Sequence, residues 1–154
     1  ISNTTIITDS DIIFYPEFRN YLSAFNNNNW YLPEPPESKN YDINCVQPFL
    51  FKKVMYSVNA GFIIINNKPD WTIGFDYLIQ SLSQNSTSYF LDQTALNLVF
   101  SNDLNARLLD PRIFHASAND HFQIKPLSIN GLAMRHYVGL IRHKMWQLGW
   151  NKYS

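Results

Sequence analysis

Residues Asn59 to Asn66 read NAGFIIIN, and their centre, Phe62-Ile63-Ile64-Ile65, most constrains what this chain can fold into. Four bulky apolar residues in a row, three of them β-branched, suit a strand covered on both faces. Such a strand belongs to a sheet flanked by helices. Ala60 and Gly61 at its start are small enough to let a ligand or another backbone approach closely. The chain has 154 residues, 45% hydrophobic and 16% aromatic, which is one domain's worth of sequence (1–154) with material for a core.

The remaining elements follow in order. Thr4 to Thr8 reads as a strand and Ile12 to Tyr15 as a second extended piece. Pro16 opens a helix over Glu17 to Phe25, with Phe18, Tyr21, Leu22 and Phe25 on one face. Residues 26–48 contain NNNNW and then Pro33, Pro35 and Pro36, and read as one long irregular loop. Trp30 and Tyr31 within it are either a sugar-stacking platform or an anchor for the loop. Phe49 to Val58 is extended in part. Asp70 caps a helix over Trp71 to Leu82, with Trp71, Phe75, Leu78, Ile79 and Leu82 on one stripe. A second helix begins at Asp92 and runs to Phe100, turning Leu96, Val99 and Phe100 inward. Short strands end at Leu108-Leu109 and span Ile113 to Ala116, and small elements continue through His121 to Leu127. Leu132 to Val138 is extended, and Ile141 to Leu148 forms a final short helix. Strands and helices alternate, so the class is α/β.

Formal charge is zero, so no global field points to nucleic acid or an anionic membrane. The charge is segregated, however. Residues 1–100 carry five Lys/Arg against nine Asp/Glu, and residues 101–154 carry seven against three. The two parts could meet around a metal-bound phosphate. No apolar run is long enough to span a membrane. A single cysteine, Cys45, excludes an internal disulfide and a Cys-rich zinc site. Sequons at Asn3 and Asn85 carry little weight in an Asn-rich chain. The sequence has no initiator Met and begins almost inside a strand, which suggests a piece of something longer.

Chemistry concentrates first at Thr8-Asp9-Ser10-Asp11-Ile12. Two carboxylates stand two residues apart, between Ile6-Ile7 and Ile12-Ile13-Phe14, apolar runs that read as buried strands. An acidic pair there is costly unless a cation or hydrogen-bond donors offset it. At the end of a strand both can face one hard cation such as Mg²⁺ or Mn²⁺. The alternative is a solvated turn in which Asp9 or Ser10 bonds its own backbone. Asp92 is either a helix N-cap or a carboxylate displayed at a site, and His136 is either a core histidine or a ligand. His136 and His143 make a poor zinc pair without a Cys or Glu partner. His115 and His121 read as structural or surface residues.

TDSDIIF at 8–14, NAGFIIIN at 59–66, LDQTALN at 91–97 and HYVG at 136–139 followed by Arg142 and Lys144 occur in an order that resembles the GT-A nucleotide-sugar glycosyltransferases. The resemblance is closest to the retaining families of glycogenin and the bacterial lipopolysaccharide galactosyltransferases. It implies a mixed sheet flanked by helices, without the β-α-β half that precedes the acidic motif and holds the base. It further implies that Asp9, Asp11 and His136 bind Mn²⁺ or Mg²⁺ and that Asn59 and Ala60 touch the donor sugar. Asp92 would hydrogen-bond that sugar and Gln93 would lie beneath its anomeric carbon, both projecting with Asn59 into a cleft at the carboxyl end of the NAGFIIIN strand. Gly139 would admit the diphosphate, and either Arg142 or Lys144 would neutralise it, on a flap or on an ordinary C-terminal helix. The implied donor is a nucleotide-diphospho-sugar, and the acceptor a glycan, a lipid-linked group or a protein. A carbohydrate-binding or scaffold module and a metal-dependent phosphohydrolase stand as alternatives.

Overall fold

A computed structural model describes residues 4–35, 38, 40–42, 57–84, 88–121, 124–126 and 128–149. Cys45, Asn3, Asn85 and the 49–56 part of the segment read as partly extended lie outside these residues.

Two small sheets share the core. The first has the order β1-β4-β3-β5, with β1 Thr5–Thr8, β3 Asn29–Glu34, β4 Ser57–Ile65 and β5 Ala106–Leu108. The second has the order β2-β7-β6, with β2 Ile12–Phe14, β6 Phe114–Ala116 and β7 Met134–His136. β4 is antiparallel to both β1 and β3 and is buried on both faces, as its unbroken apolar run requires. β1 differs from expectation. Its four residues are exposed, with Ile6 and Ile7 at 41% and 42%, because it is the edge of its sheet.

β3 runs through the segment expected to be an irregular loop. Its Asn and Pro residues hide a central strand. Asn29 explains part of this, because its amide does the work of a turn: Oδ1 accepts the N–H groups of Asn66 and Asn67, each at 2.9 Å, and Nδ2 donates to Asp103 at 2.7 Å. Asn66 Nδ2 in turn donates to the carbonyls of Phe25 and Asn28. Trp30 packs edge-on to Phe25 at 5.5 Å and serves as an anchor. Tyr31 is fully buried and donates to Asp103 at 2.8 Å; burial and that carboxylate push its phenol well above its ordinary range.

Pro16–Ala24 winds as a 3₁₀ helix. Three residues per turn bring Phe18 and Tyr21 into one row against the core and carry Leu22 out of it, to 49% exposure. The helix expected after Asp70 is α1, Thr72–Ser83, and Asp70 Oδ1 accepts the Thr72 N–H at 2.9 Å. Most of its expected apolar stripe faces solvent, with Phe75, Ile79 and Leu82 59%, 67% and 63% exposed, whereas Trp71 packs against the core together with Ile73 and Tyr77. Small residues let the helix come close to its neighbour. Gly74 lies so near α2 (Leu91–Asn102) that a Cβ there would stand 2.8 Å from Val99 Cγ2. α2 itself is buried from Gln93 to Phe100. A four-residue helix, α3 (Ala118–His121), follows β6. The final expected helix is irregular, a 3₁₀ run over Gly139–Lys144 continuing into a π-helical turn over Met145–Gly149. No helix among the described residues is long and apolar enough to cross a membrane.

Candidate functional site

The Asp9–Asp11 turn is where the chain passes from the first sheet to the second. The β1/β4 register ends at Thr8↔Phe62, and the next backbone N–H, that of Asp9, donates to the Gly61 carbonyl at 2.8 Å. The β2/β7 register begins at Ile12↔His136, and the Asp11 carbonyl accepts the Tyr137 N–H at 2.9 Å. Each sheet therefore holds one end of the turn. His136, the last residue of β7, lies between the two carboxylates. Its Nε2 is 3.0 Å from Asp11 Oδ1 and 3.6 Å from Asp9 Oδ2.

One ligand atom from each of Asp9, Asp11 and His136 lies within 4.8 Å of the other two. Two ligands at right angles on a cation at ~2.2 Å stand roughly 3 Å apart, so these spacings suit direct ligation. The donor set of two oxygens and one imidazole nitrogen suits Mn²⁺ or Mg²⁺. Burial holds the imidazole below its ordinary range, against the upward pull of Asp11 and Asp9, so the ring is neutral and ligand-competent near pH 7. Asp11 is 5% exposed, and its second oxygen accepts Arg142 Nε–H at 2.6 Å.

Beside this centre opens a cleft of about 760 Å³, within the range of small-molecule sites. It is lined by Asp9, Asn59, Ala60, Gly61, Asp92, Gln93, His136, Gly139 and Arg142, nearly all the residues singled out from the sequence. Lys144 is exposed and not in the lining. Asp92 is not the N-cap of α2. Phe90 holds that place, and Asp92 is the second helical residue, exposed at the cleft, with Oδ1 accepting the Gln93 N–H at 2.7 Å. The cleft lies toward the amino end of β4 rather than its carboxyl end. β4 is antiparallel to β1, so the start of β4 meets the acidic turn that follows β1.

A bulge in β4 shapes the cleft wall. The β3/β4 register steps from Tyr31↔Ile63 to Leu32↔Asn59, leaving Ala60, Gly61 and Phe62 without β3 partners. Site side chains satisfy the freed groups: the Ala60 N–H donates to Gln93 Oε1 at 3.3 Å and the Gly61 N–H to Asn59 Oδ1 at 2.8 Å. Gly139, at φ 58°, turns the chain away from β7 in a conformation that glycine adopts freely. Ser117 Oγ accepts the Val138 N–H at 2.9 Å just before it.

Two residues that the sequence reading gave no individual role are central here. Glu34, fully buried at the end of β3, accepts hydrogen bonds from the side-chain amides of Asn40, Asn59 and Gln93. Asn97 joins α2 to β4, accepting the Val58 N–H and donating to the Val58 carbonyl, both at 2.9 Å. The signal for Asn97 was its place in the LDQTALN run. Glu34 sits in a Pro-rich stretch that gives none.

No family model matches the chain and no curated protein matches its sequence. Solved structures do match its fold. The galactosyltransferase LgtC, crystallised with donor and acceptor sugar analogues, superposes with a TM-score of 0.58 at 15% identity, over 90% of this chain and 53% of that one. An active-site Gln-to-Glu variant of LgtC gives 0.59 at 13% identity, over 97% of this chain and 61% of that one. The bifunctional glycosyltransferase WbbM, in its apo form, gives 0.52 at 16% identity, over 89% of this chain and 29% of that one. The chain has the GT-A fold and spans about half the length of the LgtC structures.

Proposed function

We propose that this chain carries the metal-binding and donor-sugar part of a glycosyltransferase that moves a sugar from a nucleotide-diphospho-sugar to a hydroxyl acceptor, with retention at the anomeric carbon. The convergence of Asp9, Asp11 and His136 at the edge of a cleft that also presents Asp92 and Gln93 carries this reading. The GT-A fold supports it.

Asp9, Asp11 and neutral His136 would hold Mn²⁺ or Mg²⁺, which when bound offsets the negative charge that grows on a departing diphosphate. Arg142 adds a second positive group at the cleft, aimed in this conformation at Asp11. Gly139, lacking a side chain, leaves the backbone open to phosphate oxygens. The Asp92 carboxylate accepts from sugar hydroxyls and fixes the ring in the cleft. Gln93, its amide held between Glu34 and Ala60, faces the anomeric carbon. Asn59 and Ala60 form the wall beside it. The acceptor hydroxyl, on a glycan, a lipid-linked group or a protein, enters from the open side.

The test is calorimetric titration of the chain with uridine and guanosine diphospho-sugars, with and without Mn²⁺, followed by NMR of any sugar product. Metal-dependent binding and transfer with retained anomeric configuration are the expected result. Binding of free sugar without nucleotide or metal would favour a carbohydrate-binding module. Phosphate release without sugar transfer would favour a phosphohydrolase.

A further inference from the structure

Glu34 touches neither the acidic turn nor His136, yet it lies at the start of a chain of hydrogen bonds that reaches both the metal centre and the sugar side of the cleft. Both of its oxygens accept, Oε1 from Asn59 and Oε2 from Asn40 at 2.9 Å and Gln93 at 3.1 Å. An amide that turns its NH₂ toward Glu34 must turn its oxygen the other way. For Asn59, a fixed backbone donor confirms that direction, because the Gly61 N–H meets Asn59 Oδ1 at 2.8 Å. For Gln93 the Ala60 N–H does the same. Neither amide can be reversed without opposing like groups at both ends.

The second lone pair of Asn59 Oδ1 faces His136 Nδ1 at 2.9 Å. An oxygen there demands a hydrogen on Nδ1. In the neutral ring this leaves Nε2 with a bare lone pair, and Nε2 is the atom that faces Asp11 and Asp9. Three acceptor atoms then converge with no proton among them, an arrangement that a cation relieves.

We propose that Glu34 is a positioning residue that, through Asn59, fixes the Nδ1–H tautomer of His136 and so turns Nε2 to the metal, while through Gln93 it orients the amide on the sugar side. One buried carboxylate thereby sets two parts of the site at once. Partners behind a metal-bound imidazole fix its tautomer and orientation, and their loss typically weakens metal binding by about 10–100-fold. The proposal rests on the metal reading above only for its affinity readout, since the tautomer can be read without metal.

The first measurement is the ¹⁵N–¹H NMR spectrum of the imidazole side chains in the metal-free protein in neutral buffer, with His136→Gln used to assign the signals. The Nδ1–H tautomer for His136 is expected, and the Nε2–H tautomer would overturn the proposal. The second is Glu34→Gln, which keeps size and shape. Its oxygen is expected to stay with the two donors Asn40 and Gln93 and its NH₂ to oppose Asn59, disturbing the acceptor of His136. Mn²⁺ affinity, read by electron paramagnetic resonance, is expected to fall at least ~10-fold, with the Nδ1–H signal lost or shifted. Unchanged affinity and tautomer in a folded Glu34→Gln protein would remove Glu34 from this role. If that variant does not fold, the wild-type tautomer still decides. Wild-type protein that shows the Nδ1–H tautomer but binds no Mn²⁺ would sink the metal reading and leave the relay standing.

Discussion

His136 occupies the space that a side chain on Gly61 would need. A Cβ built on Gly61 would stand 2.2 Å from His136 Cε1 and 2.5 Å from Nδ1, closer than real contacts allow. The sequence reading took Gly61 as room for a ligand or a backbone. The ring of the expected metal ligand fills much of that room.

Gly61→Ala is therefore expected to displace the His136 ring. Overpacking of this kind costs about 1–3 kcal/mol of stability. Mn²⁺ affinity should fall as well, by a larger factor than from an exposed glycine such as Gly139. Thermal melts and Mn²⁺ titrations of the two variants would show the difference. An unchanged Mn²⁺ affinity in Gly61→Ala would mean that His136 is not a ligand.

A cation at the proposed site would compete with Arg142 for Asp11, since Arg142 Nε–H already donates to Asp11 Oδ2. Arg142→Ala should then have effects of opposite sign, with Mn²⁺ bound more tightly and nucleotide-sugar more weakly. Loss of a charge-assisted contact to phosphate is worth roughly 1.5–3 kcal/mol. Stability should change little, because Arg142 is largely exposed. Lys144→Ala should change none of these quantities. A loss of donor affinity in Lys144→Ala alone would give the phosphate role to Lys144.

Asp92→Asn is expected to abolish sugar transfer while leaving Mn²⁺ binding and the melting temperature close to wild type, because Asp92 is an exposed first-turn residue and not the helix cap. Equal losses of activity and stability would restore a purely structural role.

Metal binding should also depend on pH in a defined direction. The folded-state pKa of His136 is lowered, chiefly by burial, so the ring takes up no proton near neutrality. Mn²⁺ affinity is expected to be level around pH 7 and to fall only in acid, below the ordinary histidine value of ~6.5. A decline beginning well above that value would contradict the burial seen here.

Tyr31→Phe tests the core. The folded-state pKa of Tyr31 is raised, so its contribution to stability is complete below the unfolded value of ~10 and is lost as pH rises beyond it. Phe should cost about 1 kcal/mol at neutral pH through the lost bond to Asp103 and should flatten the alkaline loss of stability. Denaturant titrations on both sides of that pH would show both effects.

The buried run of β4, the helix after Asp70 and the helix around Leu96 to Phe100 were legible because their apolar spacing is regular. β3 was not, because residues that signal a turn (Asn26 to Asn29, Pro33, Pro35) lie in it and at both its ends. Asn27, Asn28 and Asn29 supply hydrogen bonds that tie the strand's entry to Asn66 and Asn67. The outer face of α1 misled for a different reason: periodicity marks an apolar stripe but does not say which side packs. There the packed side carries the small buried residues Gly74 and Ser81 together with Ile73 and Tyr77, and Phe75, Ile79 and Leu82 stay outside. Asp9, Asp11 and His136 could be named together only through the family resemblance, since no local pattern links residues so far apart. Glu34 had neither pattern nor resemblance, and its importance lies wholly in which amides surround it.

The close contact between His136 Nε2 and Asp11 Oδ1 joins residues 125 positions apart. Contacts of such long range carry the entropy of closing nearly the whole chain and tend to form late. The proposed cation site would thus be assembled only when the two ends of the described chain have met. In a refolding experiment, Mn²⁺ binding would appear with the slowest phase and never ahead of it. Metal occupancy would then report that folding is complete, and a chain arrested earlier would present a pair of acids with nothing to hold.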